Sequence, residues 1–290
     1  MSPEIAEYTD SELPAAVLRR LRVATLTPKT ICMKITQYFN LVDVQARMAL
    51  KADASKYFLG YIWWLLEPLL FVGVFYVVFN VILDARRADF LVFLMCGKLP
   101  FVWFSKSVTQ ASNSIVANAG LIGRIDIPKS LFPMAVIQEG LYKQAAVFVL
   151  LLAVLLAYDY PPSWVWLWLL PIMAINYLLI MGCSFLGAIL VCVQRDFGML
   201  IPLGMVFLMF TSGIFWDVRT LGDQQMTDLI LTTNPLAFLL DAYRQVLMYG
   251  RVPDIPLLLM VALGCGLLVV FANYALRRGS KYLALKALTA

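Results

Sequence analysis

Four ionisable side chains stand inside runs of apolar residues: Glu67, Lys98, Glu139 and Lys143. Charge at such depth in a lipid-soluble chain is costly, so these residues are expected to face a bundle interior or a wet cavity. Glu139 and Lys143 are four apart, which puts a carboxylate and an ammonium on one helix face. The pair reads either as a self-neutralising structural element or as part of a substrate path. Trp63, Trp64, Phe101 and Trp103 lie near ends of the first two apolar runs, where aromatic rings anchor a membrane interface or offer sugar rings a sliding surface. The chain contains no histidine, which removes serine–histidine nucleophiles, histidine metal sites and histidine proton relays together. No GxxxxGK run followed by Ser or Thr occurs, so the chain lacks a phosphate loop for ATP. Cys32, Cys96, Cys183, Cys192 and Cys265 are single and mostly inside apolar runs, as packing residues are. No catalytic residue and no metal site is expected.

The elements that hold these residues follow from composition. Of 290 residues 62% are hydrophobic and 14% charged, well beyond the roughly 45 to 50% apolar share of soluble domains. The apolar residues come in runs near the ~20 needed to cross about 30 Å of hydrocarbon. These runs predict spans over 61–83, 90–108, 131–158, 164–193, 197–215 and 256–276. Residues 1–32 read as a flexible cytoplasmic tail, and apolar residues recurring at helical spacing make 33–55 an amphipathic interface helix. The whole transmembrane domain runs from 33 to 280, with 281–290 as a cytoplasmic C-terminal tail. Residues 216–250 hold an apolar run broken at Asn234 and Pro235, which suits an outer re-entrant helical hairpin, since broken backbone at membrane depth must be buried in protein or line a cavity. The fold class is therefore an all-α integral membrane protein of about six transmembrane helices. Small residues at spacing four, Cys183 with Gly187, Ser184 with Ala188 and Ala262 with Gly266, mark expected helix contacts. No cleavable signal peptide is expected, because no early apolar core follows the N-terminus. On this assignment 16 of the 23 basic residues lie on the side of the termini, with Arg86, Arg87, Arg219, Arg244 and Arg251 opposite. The positive-inside rule then puts both termini in the cytoplasm. Net charge of +5 is modest and gives no case for nucleic acid.

Four ordered segments resemble the membrane subunit of type 2 ABC exporters, particularly the Wzm-like permeases that export O-antigen and capsular polysaccharide. They are KYFLGYIWWLLEPLLF (56–71), the long run beginning CGKLPFVWFSK (96–133), QRDFGMLIPLGMVFLMFTSGIFW (194–216) and TNPLAFLLDAYRQVLMYGRVPD (233–254). The resemblance covers residues 35–285 and implies a bacterial inner-membrane permease carrying lipid-linked polysaccharide. Two copies of the chain would form the path, with two separate ABC ATPase subunits beneath; ATP and Mg would bind in those subunits and no cofactor in this chain. Within segment 109–130, Asn118, Leu121, Ile122, Arg124, Ile127 and Pro128 would couple to the ATPase, and Arg195 with Asp196 would form a second contact. Trp63, Trp64, Phe101, Trp103, Glu67 and Lys98 would line the substrate path, and Phe215, Trp216, Asn234 and Pro235 would belong to an outer gate. The sequence departs from the family pattern at Asp53, which dilutes a basic turn, and at Lys98. An exporter of drugs or small lipid-like molecules and a proton-coupled secondary carrier using Glu67, Lys98 and Glu139 are the alternatives.

Overall fold

The computed structural model describes residues 34–82, 89–122 and 127–289, and among these every regular element is helical. The expected N-terminal tail, Cys32, Arg86, Arg87 and Arg124 lie outside the described residues. Helix α1 (Ile35–Ala54) is amphipathic: Val42, Ala46 and Ala54 are buried while Ile35, Phe39 and Met48 are exposed. A turn through Gly60, at φ +52, leads by a short 3-10 segment (Gly60–Ile62) into α2 (Trp63–Tyr76), which carries Pro68 and continues through a π-helical stretch to Ile82. Helix α3 (Phe90–Ala117) follows Asp89 and is the most enclosed of the long helices. It runs nine residues past the expected end of the second span at Val108. The polar residues there stay helical because Ser112 and Ser114 donate their hydroxyls back to the carbonyls of Val108 and Ala111, at 2.7 Å each.

A short turn of helix, α4 (Ala119–Ile122), precedes α5 (Leu131–Ala157); α6 (Leu169–Val193) is entered through the 3-10 segment Trp164–Trp168. Helix α7 (Phe197–Thr211) is apolar and largely exposed. Two short helices follow, α8 (Gln224–Thr233) and α9 (Pro235–Leu247), then α10 (Ile255–Arg278) and α11 (Ser280–Thr289). The C-terminal segment expected as a tail is therefore helical, with Leu283 buried against the rest of the chain.

Helix α3 is the hub, packing against α5, α6, α9, α2 and α7. At its crossing with α6, a Cβ on Gly187 would stand 2.0 Å from Ser112 Oγ, so the small residue sets the approach of the two helices. Ser184 and Ala188 are buried on the same helix, whereas at Gly266 a Cβ would meet no other element among the described residues within 4 Å. Among the described residues four helices are long and apolar enough to cross a membrane: Phe90–Ala117, Leu131–Ala157, Trp164–Val193 and Ile255–Arg278. Gly60–Tyr76 and Phe197–Thr211 are apolar but shorter.

Candidate functional site

A cavity of about 770 Å³ opens between the end of α1, the start of α2 and the middles of α3 and α5. Helix α3 gives it one continuous stripe, Leu99, Val102, Trp103, Lys106, Ser107 and Gln110, at spacings of three and four. Trp63, Trp64 and Glu67 of α2 face that stripe, and Glu139, Gly140, Lys143 and Gln144 of α5 close the wall. Trp63 stacks on Tyr57 with ring centroids 5.9 Å apart, and Trp64 meets Tyr61 edge-on at 4.9 Å. Aromatic surface and paired charge thus share one wall.

The charges are organised in two knots. Glu67 pairs with Lys106 at 2.5 Å. Lys143 bridges Glu139, one turn away at 2.8 Å, and Asp53 of α1 at 2.7 Å. The i, i+4 pair expected from sequence forms, but its other carboxylate comes from 90 residues away. Trp64 Nε1 also donates to Asp53 Oδ2, at 3.4 Å, and its ring lies 5.3 Å from Lys143 Nζ. Partial burial pushes the Asp53 carboxyl up; the Lys143 ammonium, the Trp64 N–H and Lys56 outweigh it and hold the group below the usual aspartate value. Two further bonds fasten α1 along α5: Tyr142 donates to Asp43, which lowers the Asp43 carboxyl, and the hydroxyls of Tyr38 and Ser130 meet at 3.2 Å. The interface helix is thereby tied to α5 at three levels.

Lys98 and Phe101 do not share this cavity. They sit on another side of α3, where Lys98 is 5% exposed, reaches Met209 Sδ at 2.9 Å and lies within 5.0 to 5.8 Å of the rings of Phe71, Phe75 and Phe101. No carboxylate pairs with it among the described residues; aromatic faces and a thioether surround the ammonium instead. The aromatic cluster continues through Phe75 and Phe215, 4.7 Å apart, to Phe210, whose carbonyl accepts from Trp216 Nε1 at 3.0 Å. Asn234 caps α9: its Oδ1 accepts from the N–H groups of Leu236 and Ala237 while its Nδ2 donates to Ser212 Oγ, 3.1 Å in each case. Pro235 then takes the first helical position, where a missing N–H costs nothing. The four expected gate residues therefore join the end of α7 to the start of α9.

Arg244, which the sequence places with the basic residues of the outer side, is 2% exposed on α9, itself buried along nearly its whole length. Its Nη1 and Nη2 donate to the carbonyls of Gly213 and Ile214 at 2.7 and 2.9 Å, and its guanidinium lies 3.7 Å from the centroid of the Phe93 ring. Gly97 makes the space, since a Cβ there would stand 2.4 Å from Arg244 Nη2. One legible signal existed, a glycine on α3 directly before the anomalous Lys98.

The expected coupling residues cluster at the opposite end of α3. Asn118 caps it, donating Nδ2 to the Ser114 carbonyl at 2.8 Å, and its own carbonyl accepts from Leu121 and Ile122 of α4. Leu121 is exposed and Ile122 buried. Beyond the segment holding Arg124, Ile127 accepts from Lys129 Nζ at 3.1 Å, and the exposed Pro128 opens the turn into α5. Arg195 and Asp196 are exposed between α6 and α7, with Gln194 Nε2 donating to Asp196 at 3.0 Å. Helix α11 packs against both α4 and the end of α6, where Cys192 Sγ donates to the Leu283 carbonyl at 3.2 Å.

No model of a protein family matches the chain. It is 30% identical over 214 residues to an O-antigen export system permease protein RfbA of Klebsiella pneumoniae, a stretch covering 73% of this chain and 82% of that protein. The chain belongs to the polysaccharide-export permeases of the type 2 ABC family. Within the family, an RfbA permease of Myxococcus xanthus is 25% identical over 236 residues, covering 81% of this chain and 91% of its own length. The polysialic acid transport protein KpsM of Escherichia coli is 28% identical over 206 residues, covering 69% and 78%. The membership and the long apolar helices make this permease a multi-pass, all-helical membrane protein.

Proposed function

We propose that the chain is the membrane-spanning subunit of an ATP-driven exporter that moves lipid-linked polysaccharide of O-antigen or capsule type from the cytoplasm across the bacterial inner membrane. The observation that carries this reading is the likeness over 82% of the length of an O-antigen export permease. In this reading α2 with its π-helical extension, and α7, complete six spans with the four long helices, while α8 and α9 form a re-entrant hairpin on the outer side. Both termini are cytoplasmic, as the distribution of basic residues favours. Two copies surround the path, and two ABC ATPase subunits bind ATP and Mg below it.

The chain's own residues divide the work. The cytoplasmic surface of Asn118, Leu121, Ile127 and Pro128, with Arg124 and backed by the buried Ile122, enters a cleft on the ATPase, and Arg195 with Asp196 touches it a second time. Closure of the ATPase pair is transmitted through α4 to α5, and by the Tyr38, Asp43 and Asp53 ties to α1 and α2. Trp63, Trp64, Trp103 and Glu67 form the inner end of the sugar path at the cavity. Lys98 and Phe101, on another side of α3, border the aromatic cluster that runs through Phe75 to Phe215, and the Asn234–Pro235 break lets the outer hairpin gate the exit.

Two experiments test this. A tagged chain purified in mild detergent is expected to carry an ABC ATPase with it, and Arg124→Glu to reduce that recovery at least about tenfold, by setting like charges or lost pairing at a docking contact. If no ATPase accompanies the wild-type chain, the reading falls and a carrier using Glu67, Lys98 and Glu139 takes its place. The Trp63→Ala, Trp103→Ala double variant is expected to lower surface polysaccharide to roughly a tenth or less, from two lost aromatic contacts of about 0.5 to 1.5 kcal/mol each. Undiminished export would remove these rings from the path.

A further inference from the structure

The lining of the cavity carries three carboxylates, Asp53, Glu67 and Glu139, and three ammonium groups, Lys56, Lys106 and Lys143. Every one of the six has an opposite charge within 4 Å: Lys106 with Glu67, Lys143 with Asp53 and Glu139, and Lys56 with Asp53 at 3.9 Å. The charged part of the lining is thus fully paired and neutral in sum. An anionic group entering it meets a carboxylate as readily as an ammonium and gains nothing from the field, whereas an uncharged polyol finds fixed donors and acceptors.

Two further features point to oxygen acceptors on the ligand. Trp103 and Gln144, 3% and 5% exposed, both line the cavity, and Trp103 Nε1 and Gln144 Nε2 have no acceptor among the described residues. Buried donors are seldom left so, and both side chains give N–H groups that a ring or hydroxyl oxygen would satisfy. Gly140 lets α5 approach α3 closely beside these donors, for a Cβ there would stand 2.5 Å from Ser107 Oγ and 3.7 Å from Trp103 Nε1. Opposite lie the rings of Tyr57, Trp63 and Trp64, which suit the apolar C–H face of a pyranose. The volume of about 770 Å³ falls in the range of small-ligand pockets.

We infer that this cavity is a recognition site for an uncharged hexopyranose segment of the exported chain, selecting it against acidic sugars and against the phosphate of a lipid carrier. The inference rests on the export reading and narrows its substrate: the cargo that suits this chain has neutral sugar where it passes the inner wall, in contrast to what the name of the polysialic acid transporter KpsM implies for that relative.

The test is a titration of the purified full chain, following tryptophan emission, with mannotetraose, with a sialic acid tetramer and with inorganic pyrophosphate. Mannotetraose is expected to saturate the signal and the two anions to bind at least about tenfold more weakly. Gln144→Leu, close to isosteric, is expected to weaken mannotetraose about fivefold by deleting the unpaired donor. Glu67→Gln with Glu139→Gln makes the lining positive and is expected to strengthen sialic acid tetramer binding about tenfold. Tighter wild-type binding of either anion overturns the inference, as does a Gln144→Leu affinity equal to wild type. Absence of mannotetraose binding in a preparation that retains its ATPase overturns the site and leaves the export reading standing; absence of the ATPase overturns the export reading itself.

Discussion

Gly97→Ala and Arg244→Met, made separately, are each expected to abolish recovery of monodisperse protein from membranes, and made together to cost much less than their sum. Arg244 bridges α9, the turn at 213–214 and α3 through carbonyls at Gly213, Ile214 and Phe93. Methionine keeps the stem volume but withdraws every donor. Each buried carbonyl left unsatisfied costs about 1 to 3 kcal/mol, and loss of the cation over Phe93 about 1 to 2 more. Against a whole stability of about 5 to 15 kcal/mol, the sum is enough to unfold the hairpin region. Gly97→Ala attacks the same contact from the other side, because Nη2 is already held by Ile214 and cannot retreat from a Cβ 2.4 Å away without breaking that bond. Once Arg244 is methionine, a flexible thioether end can yield, so alanine at 97 loses most of its penalty. Size-exclusion profiles and thermal unfolding midpoints of the two single variants and the double variant would read this coupling. Strict additivity would mean that Gly97 serves some other contact. Arg244→Lys should fall between, since one ammonium cannot span two carbonyls as a planar fork does.

What was legible in the sequence was whatever depends on neighbours along the chain. Apolar runs gave the long helices because crossing length is a local property, and Glu139 with Lys143 gave a pair because four residues make about one turn. Asp53 looked like a flaw in a basic turn because its partner lies 90 residues on; only the packing of α1 on α5 turns it into a bond. Arg244 was counted as external because basic residues were assigned by position between spans, and no local feature says that a helix between two spans is enclosed. Phe101 and Trp103 are divided between two sides of α3 for a reason the sequence does contain. Residues two apart on a helix point to different sides, so Trp103 reaches the cavity while Phe101 turns with Lys98 toward Met209 and Phe75. The polar stretch after Val108 carries no apolar run to mark it as part of the span, yet its serine hydroxyls bond back to the helix that carries them and α3 continues through it.

Lys143→Met is expected to make stability rise as pH falls below neutrality, which the wild type does not do, and to cut export to roughly a tenth or less of wild type. Asp53 is faced by Lys143 and Glu139 from α5, by Lys56 beyond the end of α1 and by the Trp64 N–H from α2. In the native protein its carboxyl is held below the usual value, so the folded state binds its proton less readily than the unfolded chain. The stabilisation this gives is complete above the ordinary carboxylate range and disappears as pH falls through the depressed value. Methionine removes the ammonium but leaves the burial, which is the largest influence on Asp53 and acts in the opposite direction. It also leaves Asp53 and Glu139 facing each other without the charge that joined them, a like-charge contact that a proton relieves. The folded variant then takes up a proton more readily than its unfolded chain, so its stability rises as pH falls toward about 4.5, near the ordinary carboxylate range, where the wild type gains nothing. Unfolding midpoints at neutral pH and at about pH 4.5 would rise toward the lower pH in the variant and not in the wild type, and equal slopes would mean that Lys143 does not set the Asp53 charge. Adding Glu139→Gln to Lys143→Met should recover part of the neutral-pH stability by removing the repulsion. It should recover little export, because the bond between α1 and α5 stays broken and ATPase closure then moves one helix without the other.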